Sequence, residues 1–304
     1  MSQTSTLSVP ERASSGILRG IVYGLITAAI WGAFIAVSRQ GIHAGLHASD
    51  LAFLRYAGAG ALLLPWILRH NPRTLAGVGW ARGLILALLA GPLFVLVGAS
   101  GYLFAPLAHG AVIQLGTLTL ASVLLATLVL REPLGTQKAI GLLVLIAGLA
   151  TIAGPALFEG NATAWKGDLL FASAGTMYAI FSMLIRHWKV NAWAATAIVS
   201  VVSGLIYSPL WLIFVGAQRL GHVPVWLLIE QVAVQAVLSG IVALFCFSRV
   251  IHLLGAGRAA LFPALSPAAA ILIGIPLTGD IPNLLQGVGL LIVSCGLLIV
   301  VLRR

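Results

Sequence analysis

Apolar residues fill ten long stretches of this chain, and charged or turn-forming residues separate them. The stretches cover 17–38, 49–69, 80–103, 107–130, 138–158, 167–187, 193–216, 227–248, 258–278 and 283–302. Each holds about 20 residues, the length an α-helix needs to cross the hydrocarbon core of a bilayer. The connections are short. The most polar one, residues 159–166 (EGNATAWK), divides the chain almost in half. The pattern predicts an all-α integral membrane protein with ten transmembrane helices.

Composition supports the same solvent. Hydrophobic residues make up 60% of the 304 and charged residues 8%, with a mean hydropathy of +1.08. A soluble domain carries about 25% charged residues, so most of this chain is expected to face lipid. The first apolar stretch is long and no convincing cleavage site follows it. It reads as a retained helix behind a short tail, residues 1–16.

The net charge of +10 raises the question of a nucleic-acid partner. Topology accounts for it instead. With a cytoplasmic N-terminus, 13 of the 17 Lys and Arg fall on the inner side, leaving Arg39, Arg55, Lys166 and Arg219. Positive charge accumulates on the cytoplasmic face. Both termini are therefore expected in the cytoplasm, in a multi-pass protein of the inner (plasma) membrane, with the lipid bilayer as partner and no nucleic acid. Most tryptophans lie near predicted helix ends, where an amphipathic ring suits the headgroup region. Trp31, deep in the first stretch, is the exception.

The stretch LREPLGTQKAIG, Leu130 to Gly141, is echoed by LTGDIPNLLQGVG, Leu277 to Gly289. A shift of 148 residues carries Glu132 to Asp280, Gly141 to Gly289 and Gly148 to Gly296. A shift of 147 carries Arg19-Gly20 to Lys166-Gly167, Trp31 to Tyr178 and Arg39 to Arg186. Glycines seven apart share a helix face and let another backbone approach closely. The order of these anchors predicts an internal duplication. Five helices per copy start the second copy on the opposite side. The expectation is two inverted five-helix repeats, 17–158 and 167–304, around an extracytoplasmic linker, 159–166. Inverted repeats of this kind place a solute site between the halves, near the midplane.

The chain has seven acidic residues, and each falls in a tail, a loop or the first few residues of a span. No acid lies deep, which argues against ion exchange through a midplane carboxylate. Glu132 and Asp280 each precede a helix, where a carboxylate suits the positive end of the dipole, so a structural helix-end role is expected for both. Asp50 and Glu230 lie at the mouth and are the candidates for ion coupling. Polar residues within the spans are candidates for a cavity. Arg55, about 9 Å into the second span, either snorkels to the surface or faces an anion. Gln114 and Thr117 share a face of the fourth span, and Gln231 and Gln235 lie one turn apart on the eighth. Each pair either bonds a neighbouring helix or lines a cavity. Trp31 and its repeat mate Tyr178 supply aromatic walls or plain packing.

No zinc motif, phosphate-binding loop or nucleophile elbow is present. Cys246 and Cys295 lie in apolar runs and suggest neither a disulfide framework nor a metal site. No cofactor, no metal and no enzymatic activity are expected.

Several of these features together resemble the drug/metabolite transporter superfamily, EamA type. They are Trp31-Gly32 in the first helix, Phe53-Leu54-Arg55 opening the second, ATLVLREPL closing the fourth, GLLVLIAG after it, and LSP at Leu265 to Pro267. The chain departs from the family pattern at Thr119 (often proline), at Arg131 (usually glycine) and at Asp280 (usually Glu). The resemblance covers nearly all of residues 17–304. It implies ten helices around a central cavity and the movement, expected to be export, of small organic metabolites such as amino acids or related compounds. A monomer and a homodimer both fit. The alternatives are a translocator of lipids or lipid-linked sugars and, from another class, a membrane-embedded enzyme or structural membrane subunit.

Overall fold

The computed structural model describes residues 9–129, 131, 135–158, 163–254 and 262–301, and every regular element among them is helical. In chain order these are α1 (Val9–His43), α2 (Ala48–Arg69), α3 (Trp80–Ala90), α4 (Pro92–Ser100), α5 (Leu107–Leu128), α6 (Thr136–Phe158) and α7 (Ala164–His187). Then come α8 (Ala192–Phe214), α9 (Val225–Gln231), a π-helix (Val232–Val242), α10 (Ala243–Leu254), α11 (Ser266–Thr278) and α12 (Leu284–Val301). Among the described residues, seven helices are long and apolar enough to cross a membrane. Three apolar helices are shorter: Ala139–Thr151, Ser266–Thr278 and Leu284–Ile299. Glu132 and residues 159–162 of the 159–166 linker lie outside the described residues.

Two predicted spans are less regular than their apolar pattern suggests. The third is broken into α3 and α4 at Gly91-Pro92. Gly91 adopts φ −93° and ψ −147°, outside helical values, and Pro92 has no N–H to continue the ladder. A Cβ at Gly91 would run into the Ala87 carbonyl oxygen and Ser203 Oγ, so only glycine fits the break. The eighth span passes from α-helix through 11 residues of π-helix and back. Such segments are rare and gather at functional sites.

The packing carries the duplication. α5 packs on α7, and α11 packs on α1; α1 packs on α10, and α7 on α3 and α4. Each contact has its mate when the halves are exchanged. Two pairs of equivalent helices, α6 with α12 and α2 with α8, pack directly on each other. A Cβ on Gly148 would lie 2.7 Å from the Val293 nitrogen and 3.1 Å from the Gly289 oxygen; one on Gly296 would lie 2.7 Å from the Leu145 nitrogen and 3.0 Å from the Gly141 oxygen. Residue 148 thus faces 289 while 141 faces 296, an antiparallel crossing. The glycine steps recognised in the sequence are where the two backbones touch.

Large apolar side chains such as Leu88, Leu143, Leu272 and Leu291 are exposed on the outside of the bundle. In water this surface would be a severe liability; in lipid it is the solvent-facing surface.

Candidate functional site

A cavity of about 80 Å³ lies inside the bundle, lined from both halves. The first half contributes Trp31 of α1, Arg55, Tyr56 and Ala59 of α2, and Ala90 at the broken helix. The second half contributes Tyr178 and Phe181 of α7, Thr196, Val199 and Ser200 of α8, Ser239 and Gly240 of the π-helix, and Leu244 of α10. Trp31, Arg55 and Tyr178, separated by up to 147 residues in the chain, therefore meet at one site.

Tyr56 holds the break in place: its hydroxyl donates to the Ala90 carbonyl over 2.6 Å. Arg55 turns inward. Its guanidinium carbon lies 4.7 Å from the centre of the Phe34 ring and 5.6 Å from that of Tyr56. Trp31 packs against Phe247 at 5.3 Å, and Tyr178 lies between Phe94 and Phe181 at 5.5 and 5.2 Å. Because one side of Trp31 borders the cavity, Trp31→Ala should destabilise by about 1–3 kcal/mol, less than the 3–5 kcal/mol of a fully enclosed aromatic. Thermal unfolding in detergent checks this; a loss at the upper figure would return Trp31 to the packed core.

The other candidates are placed elsewhere. Gln231 and Gln235 are fully buried and tie the eighth span to α1. Gln231 Nε2 donates to the Val37 carbonyl at 2.8 Å; Gln235 Nε2 donates to Ser38 Oγ at 3.0 Å and to Gln231 Oε1 at 3.2 Å. Gln114 faces a separate narrow gap beside Phe34, Phe94, Gly98 and Tyr102. Thr117 sits where α5 meets Gly175 of α7, its Cβ 3.2 Å from where a glycine Cβ would be.

Asp50, Glu230 and Asp280 lie toward one end of the bundle. Asp50 is 1% exposed. Its Oδ2 accepts from the His47 backbone N–H at 2.8 Å and from Arg219 Nε at 3.1 Å, and its Oδ1 accepts from Trp211 Nε1 at 3.1 Å. It is the third residue of α2 and closes a capping box there, with both oxygens accepting hydrogen bonds. Glu230 is half-buried beside Gln40, and its Oε2 has no donor. Asp280 corrects the expectation that it serves its own following helix. Asn283 and Gln286 cap α12 reciprocally, at 2.8 and 3.0 Å. Asp280 instead accepts from Arg39 Nε at 2.9 Å and from the Leu107 N–H, the first of α5, at 3.4 Å. Its role is at a helix end, but the helix is another one.

Local spacing could not reveal several features. Arg39 Nη1 also donates to the Tyr102 carbonyl at 2.6 Å, so α1, the turn after α4 and the turn before α12 are joined by one guanidinium. His109 and Asp168 pair at 2.8 Å between α5 and α7. Ser200 and Ser239 of the cavity do carry a signal in the sequence, as hydroxyls inside long apolar runs.

A bundle of apolar helices in two interlocked halves, with a polar cavity shared between them, is the architecture of a multi-pass membrane protein that handles solutes. A model of the EamA-like transporter family matches residues 18–154 and again 165–302, and the chain belongs to that family. A solved structure titled only "Crystal structure of protein" aligns over 94% of this chain and 96% of its own, with a TM-score of 0.60 and 17% identity, a likeness of fold alone. No curated protein matches. The chain is a membrane transporter of the drug/metabolite type.

Proposed function

We propose that the protein is a secondary transporter that moves small organic metabolites by alternating access through the cavity between its repeats. It would lie in the inner membrane with both termini cytoplasmic. The observation that carries this is the constriction at one end of the path to the cavity. Toward the acidic end, Phe34, Phe94 and Tyr102 leave a gap of only about 10 Å³. Beyond them Arg39 joins Asp280 and the Tyr102 carbonyl. This is a closed gate built from both halves, as one state of an alternating-access cycle requires.

The gate is testable by accessibility. A Cβ at Gly98, on the wall of the narrow gap, meets nothing closer than 3.4 Å, so Gly98→Cys should fold. In a background lacking Cys246 and Cys295, it should react slowly with a membrane-impermeant thiol reagent. Adding Asp280→Asn removes the charge that holds Arg39. The labelling rate should then rise about tenfold, the shift produced by about 1.4 kcal/mol of gate stability. Identical rates with and without Asp280→Asn would deny the ion pair any part in closure.

A further inference from the structure

We propose that the solute is a small carboxylate of net negative charge with an apolar body, and that Arg55 receives its carboxylate. This rests on the transporter reading and names the substrate class of the same cavity.

Arg55 carries a charge with no counter-charge beside it among the described residues. Arg55 Nη1 is buried and has no hydrogen-bond partner. A guanidinium stays protonated under all ordinary conditions, so its charge is permanent. Among the described residues no carboxylate pairs with it. Asp50 is held by Arg219, Asp280 by Arg39, and Asp168 pairs with His109. The Tyr56 hydroxyl gives its proton to the Ala90 carbonyl and its oxygen faces Arg55. The other contacts are the aromatic faces of Phe34 and Tyr56. All of these are neutral, and a charge taken out of water is costly without a counter-charge. An ionisable group left so exposed to its own desolvation within a membrane protein marks a solute path, and the species that satisfies a fork of N–H donors is an oxyanion.

The rest of the cavity defines the remainder of the solute. Trp31, Tyr178 and Phe181 give it aromatic walls, and Ser200 and Ser239 add hydroxyls. An apolar body fits such walls. Among the described residues no carboxylate lines the cavity. An α-ammonium group would sit near Arg55 with no counter-charge, so a zwitterionic amino acid is disfavoured against the deaminated acid with the same side chain. The cavity volume of about 80 Å³, well below the roughly 300 Å³ where drug-sized pockets begin, keeps the solute small.

Titration calorimetry on the full-length protein in detergent tests this with three matched probes. They are propionate, its neutral amide, and L-alanine, which adds the ammonium. Chloride and inorganic phosphate serve as competitors. We expect saturable binding of propionate, at least tenfold weaker binding of the other two, and no displacement by either inorganic ion at equal concentration. Arg55→Gln should lose at least tenfold in affinity for the acid. Arg55→Lys should recover only part of it, because an ammonium lacks the planar fork. Matched melting profiles of the variants in the absence of probe would exclude misfolding as the cause. Equal binding of acid and amide, tighter binding of alanine, displacement by phosphate or chloride, no binding of the acid at all, or full affinity in Arg55→Gln would each overturn the assignment. None of these would touch the transporter reading, which the Gly98 labelling tests without any solute.

Discussion

Asp50→Ala is expected to lower folding stability by about 2–4 kcal/mol, as the sum of a lost helix cap and a stranded buried donor. The carboxylate joins three segments: the turn before α2, Trp211 of α8 and Arg219 after it. Removing it leaves Trp211 Nε1 without an acceptor in a side chain that is 2% exposed. Trp211 also stacks on Phe53 at 4.1 Å, so the ring cannot swing out to find water without losing that contact. Arg219 contributes less, because its side chain is 35% exposed and solvent screens an exposed pair. Asp50→Asn keeps one acceptor oxygen, for Trp211 or for the cap but not for both, and should fall between the wild type and alanine. Thermal unfolding in detergent gives the order. Alanine melting with the wild type would show that the network does not hold this end of the bundle together.

The fold was legible because lipid imposes one rule on every span: the run must be apolar and about 20 residues long. The repeat was legible because antiparallel helices need small residues where they cross, and Gly141, Gly148, Gly289 and Gly296 kept their spacing in both copies. The Gly91-Pro92 break was written in the sequence too, but the apolar run continues through it. The π-helix has no such signature, since its residues are as apolar as those around it. At the site, the shift of 147 residues brought Trp31 and Tyr178 into correspondence before their geometry was known. Arg55 stood out as a cation within an apolar run, with its direction undecided. Gln231 and Gln235 were ambiguous for a physical reason. An amide faces a cavity or a neighbouring helix according to the rotation of its helix about its own axis, and spacing does not set that angle. The partner of Asp280 is 241 residues away, and only the closed bundle brings Arg39 to it.

Gly204→Leu should be the most damaging single change in the centre of the bundle, costing about 3 kcal/mol or preventing recovery of a monodisperse protein. A Cβ at Gly204 would lie 2.6 Å from the Tyr56 carbonyl oxygen and 3.4 Å from the Gly60 Cα; one at Gly60 would lie 2.8 Å from the Ser200 oxygen. These are backbone atoms of packed helices, which cannot turn aside as a side-chain tip can. The crossing is antiparallel and joins equivalent helices of the two halves, α2 and α8. The residues flanking it, Tyr56 and Ser200, line the cavity. Any separation at Gly204 is therefore also a displacement of the cavity wall, and Gly204→Ala should impair solute movement even where folded protein is recovered. The control is Gly287→Leu on α12, where an added Cβ meets nothing within 4 Å; that variant should match the wild type in yield and melting. If Gly204→Leu behaves like Gly287→Leu, α2 and α8 do not touch at their backbones. The two halves would then have to meet along some other line.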